Sequence, residues 1–185
     1  MKKIFTLILL LAGITFGAMA QKADGVKINL GADGNLPLNA DYSFGAGLNL
    51  KAEFPLANAL KLTASAGFTR FFYNDELKFA HEVNGDNETA ATFVPLQVGL
   101  RYFFCPRFYG EGQLGASFGT KSGKGVAGEI YPDTGTAFAF GPGVGYLFPL
   151  KNGEAIDLGL RYEGWAKDGS TLSFLGLRVA YKFNL

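Results

Sequence analysis

A single cysteine, Cys105, excludes an internal disulfide framework, and a single histidine, His81, leaves little material for imidazole chemistry. Neither sign of charge is in excess, with 17 Lys and Arg against 16 Asp and Glu. The chain therefore has no basic field to attract nucleic acid or acidic lipid. Beyond residue 20 no stretch supplies the ~18 consecutive apolar residues that a spanning helix needs. Helical periodicity, a linker, a low-complexity tail and a second domain's worth of chain are also missing.

What is present begins with a leader. Lys2 and Lys3 precede the apolar run Ile4 to Leu11, and small residues end in Ala18-Met19-Ala20 before Gln21. This is the pattern of a cleaved secretory signal peptide over residues 1–20. Gln21 stands where a lipoprotein would carry cysteine, so no N-terminal lipid anchor is expected. Removal of the leader leaves one domain, residues 21–185, with 15 basic and 16 acidic residues.

The 26 glycines, 18 phenylalanines and 8 tyrosines favour close-packed β structure. At period two the chain predicts eight strands, near 26–35, 42–54, 60–73, 92–104, 107–119, 136–148, 155–166 and 172–183. Each approaches or exceeds the ~9 to 11 residues with which a tilted strand crosses a bilayer. One register is apolar, as in Leu48, Leu50, Ala52 and Phe54, or Leu175, Leu177, Val179, Tyr181 and Phe183. The opposite register holds Lys27, Asp33, Lys51, Glu53, Lys61, Arg101, Glu111, Asp157, Arg161, Glu163, Arg178 and Lys182. A soluble barrel would turn its apolar face inward. Here one Lys or Arg against lipid at the midplane would cost about 2 to 4 kcal/mol, so the charges belong inside and lipid outside. The predicted fold is an all-β, eight-stranded, antiparallel up-and-down transmembrane barrel.

Connection lengths point the same way. Short turns fall around residues 55–58, 105–106 and 149–154, whereas 74–91 and 120–135 are long. That asymmetry places the short turns and both termini on the periplasmic side. Aromatic girdles are expected at both interfaces. Phe54, Tyr102, Phe104, Phe108, Tyr146, Phe148, Tyr181 and Phe183 make one, and Phe44, Phe68, Phe93, Phe118, Phe138, Trp165 and Phe174 the other. Two irregularities are expected: a bulge or break at Pro142, and a register slip over Thr69 to Tyr73, where Arg70 would point outward unless the strand has already left the membrane.

Five segments carry a family likeness: Leu96 to Phe104, Phe108 to Gly115, Gly141 to Tyr146, Asp157 to Glu163 and Leu177 to Phe183. Through them the chain resembles the small outer-membrane β-barrels of Gram-negative bacteria, the OmpA/OmpX-like and PorT-like eight-stranded proteins. The resemblance implies contact with outer-membrane lipid and lipopolysaccharide, biogenesis through periplasmic chaperones and the barrel-assembly machinery, and a monomer. The strand with Leu177, Val179, Tyr181 and Phe183 is similar to the family's assembly signal, although Asn184 and Leu185 follow the aromatic residue. One scaffold in this family serves adhesion, envelope integrity and secretion support, so the likeness does not choose an activity.

The densest polar constellation is Glu53, Arg101, Glu111, Asp157, Arg161, Glu163 and Arg178. At eight strands a lumen is only wide enough for side chains, so these predict a salt-bridged plug, with a narrow gated path for ions or small solutes as the rival. Arg161 and Arg178 should have a carboxylate between them. A lipid-modifying enzyme would have to use His81 with Glu82, Asp86 or Ser43, but His81 falls in a long connection and no motif supports catalysis. No enzymatic activity, metal or cofactor is expected. The connection itself carries Asp75, Glu76, His81, Glu82, Asp86 and Glu88 against Lys78, and its Asn84-Gly85 pair predicts a protruding hairpin whose edge meets a surface protein or host ligand. A plain solvated acidic loop is the alternative. Gly119 to Gly125 is one residue short of a phosphate loop, and Cys105 lies in a turn with no evident redox role. The expected function is envelope integrity or surface interaction through the outer loops.

Overall fold

The computed structural model describes residues 25–38, 41–83, 89–120 and 135–184. The leader, the Asn84-Gly85 pair, Asp86, Glu88 and most of the phosphate-loop-like stretch lie outside them. Eight strands run in chain order: β1 Lys27–Pro37, β2 Tyr42–Pro55, β3 Leu60–Tyr73, β4 Ala90–Phe103, β5 Phe108–Gly119, β6 Thr136–Pro149, β7 Ala155–Lys167 and β8 Ser170–Asn184. Each pairs antiparallel with its chain neighbours, and β8 closes on β1 from Lys27↔Asn184 to Pro37↔Phe174. Closure leaves no free strand edge, which lipid would not tolerate.

Alternation in the sequence becomes alternation in space. Along β8, Leu175, Leu177 and Val179 are exposed while Phe174, Arg178, Ala180 and Lys182 are buried. Between β7 and β8 the turn is Asp168-Gly169, both at positive φ (48° and 84°), which is the geometry a two-residue hairpin requires.

Four expectations are corrected or refined. First, β3 and β4 do not extend as a ribbon; a helix, α1, spans Asp75–Val83 between them. Asn74 ends β3 because its side-chain oxygen accepts the Leu77 N–H at 2.8 Å, capping a first turn that carries Asp75 and Glu76. Second, β3 keeps its own alternation through Thr69 to Tyr73, and the slip falls on its partner β2, where the pairing shifts between Tyr42↔Tyr73 and Phe44↔Phe72. Thr69, Phe71 and Tyr73 stay buried, and Arg70 points outward between Phe68 and Phe72, near the rim where a long side chain reaches polar surroundings.

Third, of the bulge or break expected at Pro142 the structure has the break, without the bulge. Phe140↔Gly164 and Gly143↔Arg161 keep one offset, and only the ladder to β7 lapses at Gly141 and Pro142, while Gly112↔Pro142 holds on the β5 side. Pro95 does the same in β4, with a lapse toward β3 and an intact Pro95↔Ser117 pair. A missing N–H removes a bond on one side only. Fourth, Phe93, Trp165 and Phe174 are not in the outer girdle. They are buried inside the barrel, whereas Phe44, Phe68, Phe118 and Phe138 do face outward.

Candidate functional site

The lumen is filled in two layers. The first, centred toward the short-turn ends of the strands and reaching inward from there, is ionic and is built from inward positions of seven strands. Arg101 on β4 is its centre, with no exposed surface. Its guanidinium donates to Glu53 at 2.8 Å, Asp157 at 3.0 Å and Glu111 at 2.7 and 3.1 Å, and lies 3.8 Å from the Tyr109 ring centroid. Each of these carboxylates has further partners. Lys51 and the Thr63 hydroxyl donate to Glu111, Lys182 and Asn29 to Glu53, and Arg178 and the Tyr109 hydroxyl to Asp157.

From Arg178 the network continues outward. Its Nε donates to Asn49 Oδ1 at 2.8 Å, Asn49 donates to Asp33, and Arg161 donates to Asp33 at 2.8 Å and to Glu163 at 3.3 Å. Asp33 thus links Arg161 directly, and Arg178 through Asn49. Gln97 completes Glu163 at 2.6 Å. All seven charged residues proposed for the lumen fall in this one connected network. Sequence reasoning passed over Asn29, Asn49, Thr63, Gln97 and Tyr109, which share the inward parity but carry no charge to draw the eye.

The second layer is aromatic and lies toward the α1 end. Tyr42, Phe71, Tyr73, Phe93, Trp165 and Phe174 pack with Leu172 and with Leu77 from α1. Phe71 is the hub, with ring centroids 5.1 Å from Phe174, 5.7 Å from Trp165 and 6.1 Å from Phe93, all edge-on. Small residues make the room: a Cβ on Gly45 would lie 2.5 Å from the Phe71 ring. Among the side chains of the ionic layer lie two cavities of about 20 Å³, each the size of about one water. Parity would have found this plug, since Phe93 is in step with Gln97 and Arg101, and Trp165 with Glu163.

At the opposite, short-turn end the barrel opens into a cavity of about 710 Å³. The remaining sequence-proposed positions lie outside the lumen. Asp75, Glu76 and Glu82 are exposed on α1, with Asp75 and Lys78 paired at 3.0 Å, and His81 falls on the same helix. Ser43 donates its hydroxyl to the Tyr73 carbonyl at 3.5 Å. Leu177, Val179 and Phe183 face outward, and the outward Tyr181 donates its hydroxyl to Glu154 at 2.6 Å.

An apolar exterior, a closed ring of strands and a charged interior define an eight-stranded outer-membrane β-barrel. The chain belongs to the family described as "Putative MetA-pathway of phenol degradation", whose profile matches residues 8–183. Among solved structures it is similar to the outer-membrane protein Ail of Yersinia pestis in a phospholipid bilayer nanodisc, at 21% identity and a TM-score of 0.54, covering 85% of this chain and 98% of that one. It is also similar to Neisserial surface protein A, at 13% identity and a TM-score of 0.57, covering 86% and 97%. At these identities the likeness is one of fold. Comparison with curated proteins finds no match.

Proposed function

We propose that this protein is a non-conducting, non-enzymatic scaffold of the outer membrane that presents its α1 connection as a contact surface. Its termini and short turns face the periplasm, as the pairing of short turns at one end with the two longest connections at the other supports. The observation that carries the reading is the doubly filled lumen. A solute path would have to open both the ionic layer around Arg101 and the aromatic layer around Phe71, which lie one above the other along the same strands. Among the described residues the cavities within the ionic layer are of about 20 Å³ each.

The contact surface is supported by α1 itself. Leu77 anchors it in the aromatic layer, while Phe79 and Val83, one turn apart, are each 68% exposed among Asp75, Glu76 and Glu82. An apolar pair ringed by carboxylates suits a partner with an apolar pocket and basic rim. A structure of Ail in complex with the heparin analogue sucrose octasulfate exists; the acidic α1 of this chain would repel such a polyanion, so the partner differs in sign. Single-channel recording in planar bilayers is the test of closure. Purified folded protein should leave the baseline without steps, and steps that persist in the wild-type protein would overturn the scaffold reading. Replacing residues 75–83 by a Gly-Ser linker should abolish surface attachment of expressing cells without changing the heat-resistant folded band; unchanged attachment would remove α1 from the function.

A further inference from the structure

The short-turn mouth differs chemically from the rest of the lumen, where every charge has an opposite. Its cavity, about 710 Å³, is lined by Lys27, Lys61, Arg107 and Lys182. Against these four cations stand two carboxylates. Glu53 lies deeper and already accepts from Arg101, Asn29 and Lys182, with Lys61 at 3.9 Å, and Glu154 is engaged by the Tyr181 hydroxyl. Lys27 and Arg107 make no ion pair with any described residue. Apart from Asn58 and Glu154 the rest of the wall is mostly apolar, with Phe103, Leu147 and Leu150 among the lining side chains. Lys61 lies 5.3 Å and Lys182 6.0 Å from the Phe103 ring centroid, so the cations line the same wall as the apolar surface rather than a separate rim.

Concave, mostly apolar and carrying a few convergent charges of one sign, the mouth has the make-up of a small-molecule site. We infer that it binds an amphiphilic organic anion, with a carboxylate or phosphate head between Lys27, Lys61 and Arg107 and an apolar body against Phe103, Leu147 and Leu150. Ammonium and guanidinium groups both take such heads. The inference is independent of what α1 contacts at the other end of the barrel.

Cys105 lines the same cavity and is the chain's one thiol, so it reports occupancy. The folded protein in nanodiscs is alkylated with iodoacetamide in the presence of octanoate, octyl phosphate, octanol or acetate. The expected result is that octanoate or octyl phosphate slows alkylation of Cys105 in a saturable way, whereas octanol and acetate do not. Protection by one anion alone identifies the head, a free fatty carboxylate or a phosphate ester as in a lipid. Lys27→Gln/Arg107→Gln, which breaks no ion pair among the described residues, should keep the heat-resistant band and weaken protection about tenfold or more for each cation removed. Equal protection by octanol, absence of protection by both anions, or protection unchanged in the double variant would overturn the assignment.

Discussion

Replacing Arg101 by Met tests whether the ionic layer is a coupled structural unit. The residue is fully buried and holds Glu53, Asp157 and Glu111 at once. Its loss does not strand three carboxylates, because Glu53 keeps Lys182, Glu111 keeps Lys51, and Asp157 keeps Arg178 and the Tyr109 hydroxyl. Removing one partner from a buried ion pair costs about 3 to 5 kcal/mol, and the surviving partners put Arg101→Met at the lower end, about 3 kcal/mol. Urea titration of the barrel in lipid vesicles, read as loss of the heat-resistant band, should then show a midpoint lower by about 1 to 2 M for a slope near 2 kcal/mol/M. Lys78→Ala, which breaks the exposed pair with Asp75, is the control and should change stability by less than about 0.5 kcal/mol. In a double-mutant cycle, Arg101→Met with Glu111→Gln should depart from additivity by about 1 kcal/mol or more. A cost for Arg101→Met no larger than the control's, or strict additivity of the pair, would refute the idea of a coupled network.

Two glycines three residues apart in β5, and so on opposite faces of the strand, should behave oppositely. A Cβ on Gly112 meets nothing within 4 Å, so Gly112→Ala should lie within about 0.5 kcal/mol of wild type, whereas a Cβ on Gly115 would sit 2.0 Å from the Leu96 carbonyl oxygen, where backbone cannot yield. Gly115→Ala should lose the heat-resistant band in the refolding assay, and its survival would show that the β4 and β5 spacing is softer than drawn. Cys105 supplies a test of orientation: it is exposed in the turn between β4 and β5, so an impermeant maleimide should label it only after the outer membrane is permeabilised. Labelling in intact cells would invert the barrel. Backbone hydrogen bonds from Arg107 and Phe108 hold this thiol below its ordinary pKa. Its alkylation rate should therefore rise at lower pH than that of a cysteine peptide, and an equal midpoint would disprove the contact.

Period two made the barrel legible, because a charge on the wrong face of a spanning strand is penalised in lipid and the sequence bears the mark of that penalty at Arg101, Glu111, Asp157 and Arg178. The same parity also marked Phe93, Trp165 and Phe174 as interior. Aromatic residues near strand ends suit both a headgroup girdle and a plug, and composition alone favours the girdle. Only their step with Gln97, Glu163 and Arg178 separates the two. The α1 helix was hidden for a different reason. It is nine residues long with mixed polarity, too short to show a face by pattern, and it exists through the Asn74 cap and the seating of Leu77 on the aromatic layer. Neutral members of the ionic layer, such as Asn49, which bridges Arg178 to Asp33, carry no local signal at all. Their role comes from closure of the barrel, which brings β2 beside charges more than a hundred residues away.

Lipid on the outside removes the usual reason for a strand to hold its register, since apolar side chains are as comfortable outward as inward. Slipping by one residue reverses the faces, and in seven of the strands that would carry an ion into the bilayer. β6, Thr136–Pro149, has no charged residue and needs another lock. It has one in Gly141, Gly143 and Gly145, which turn inward beneath Glu163, Arg161 and Tyr109; ideal Cβ atoms there would lie 2.9 Å from Glu163 Cγ, 3.0 Å from Arg161 Cβ and 2.2 Å from the Tyr109 hydroxyl oxygen. A slip would bring Pro142, Val144 and Tyr146 under the same three side chains, so steric exclusion does for β6 what charge does elsewhere. Gly145→Ala measures this directly. Tyr109 would have to leave both its 2.5 Å bond to Asp157 and its place against Arg101, a cost of about 2 kcal/mol or more. In a Tyr109→Ala background the added methyl has space, and the same substitution should cost less than about 0.5 kcal/mol. Equal costs in the two backgrounds would show that the glycine is there for strand curvature and not to seat Tyr109.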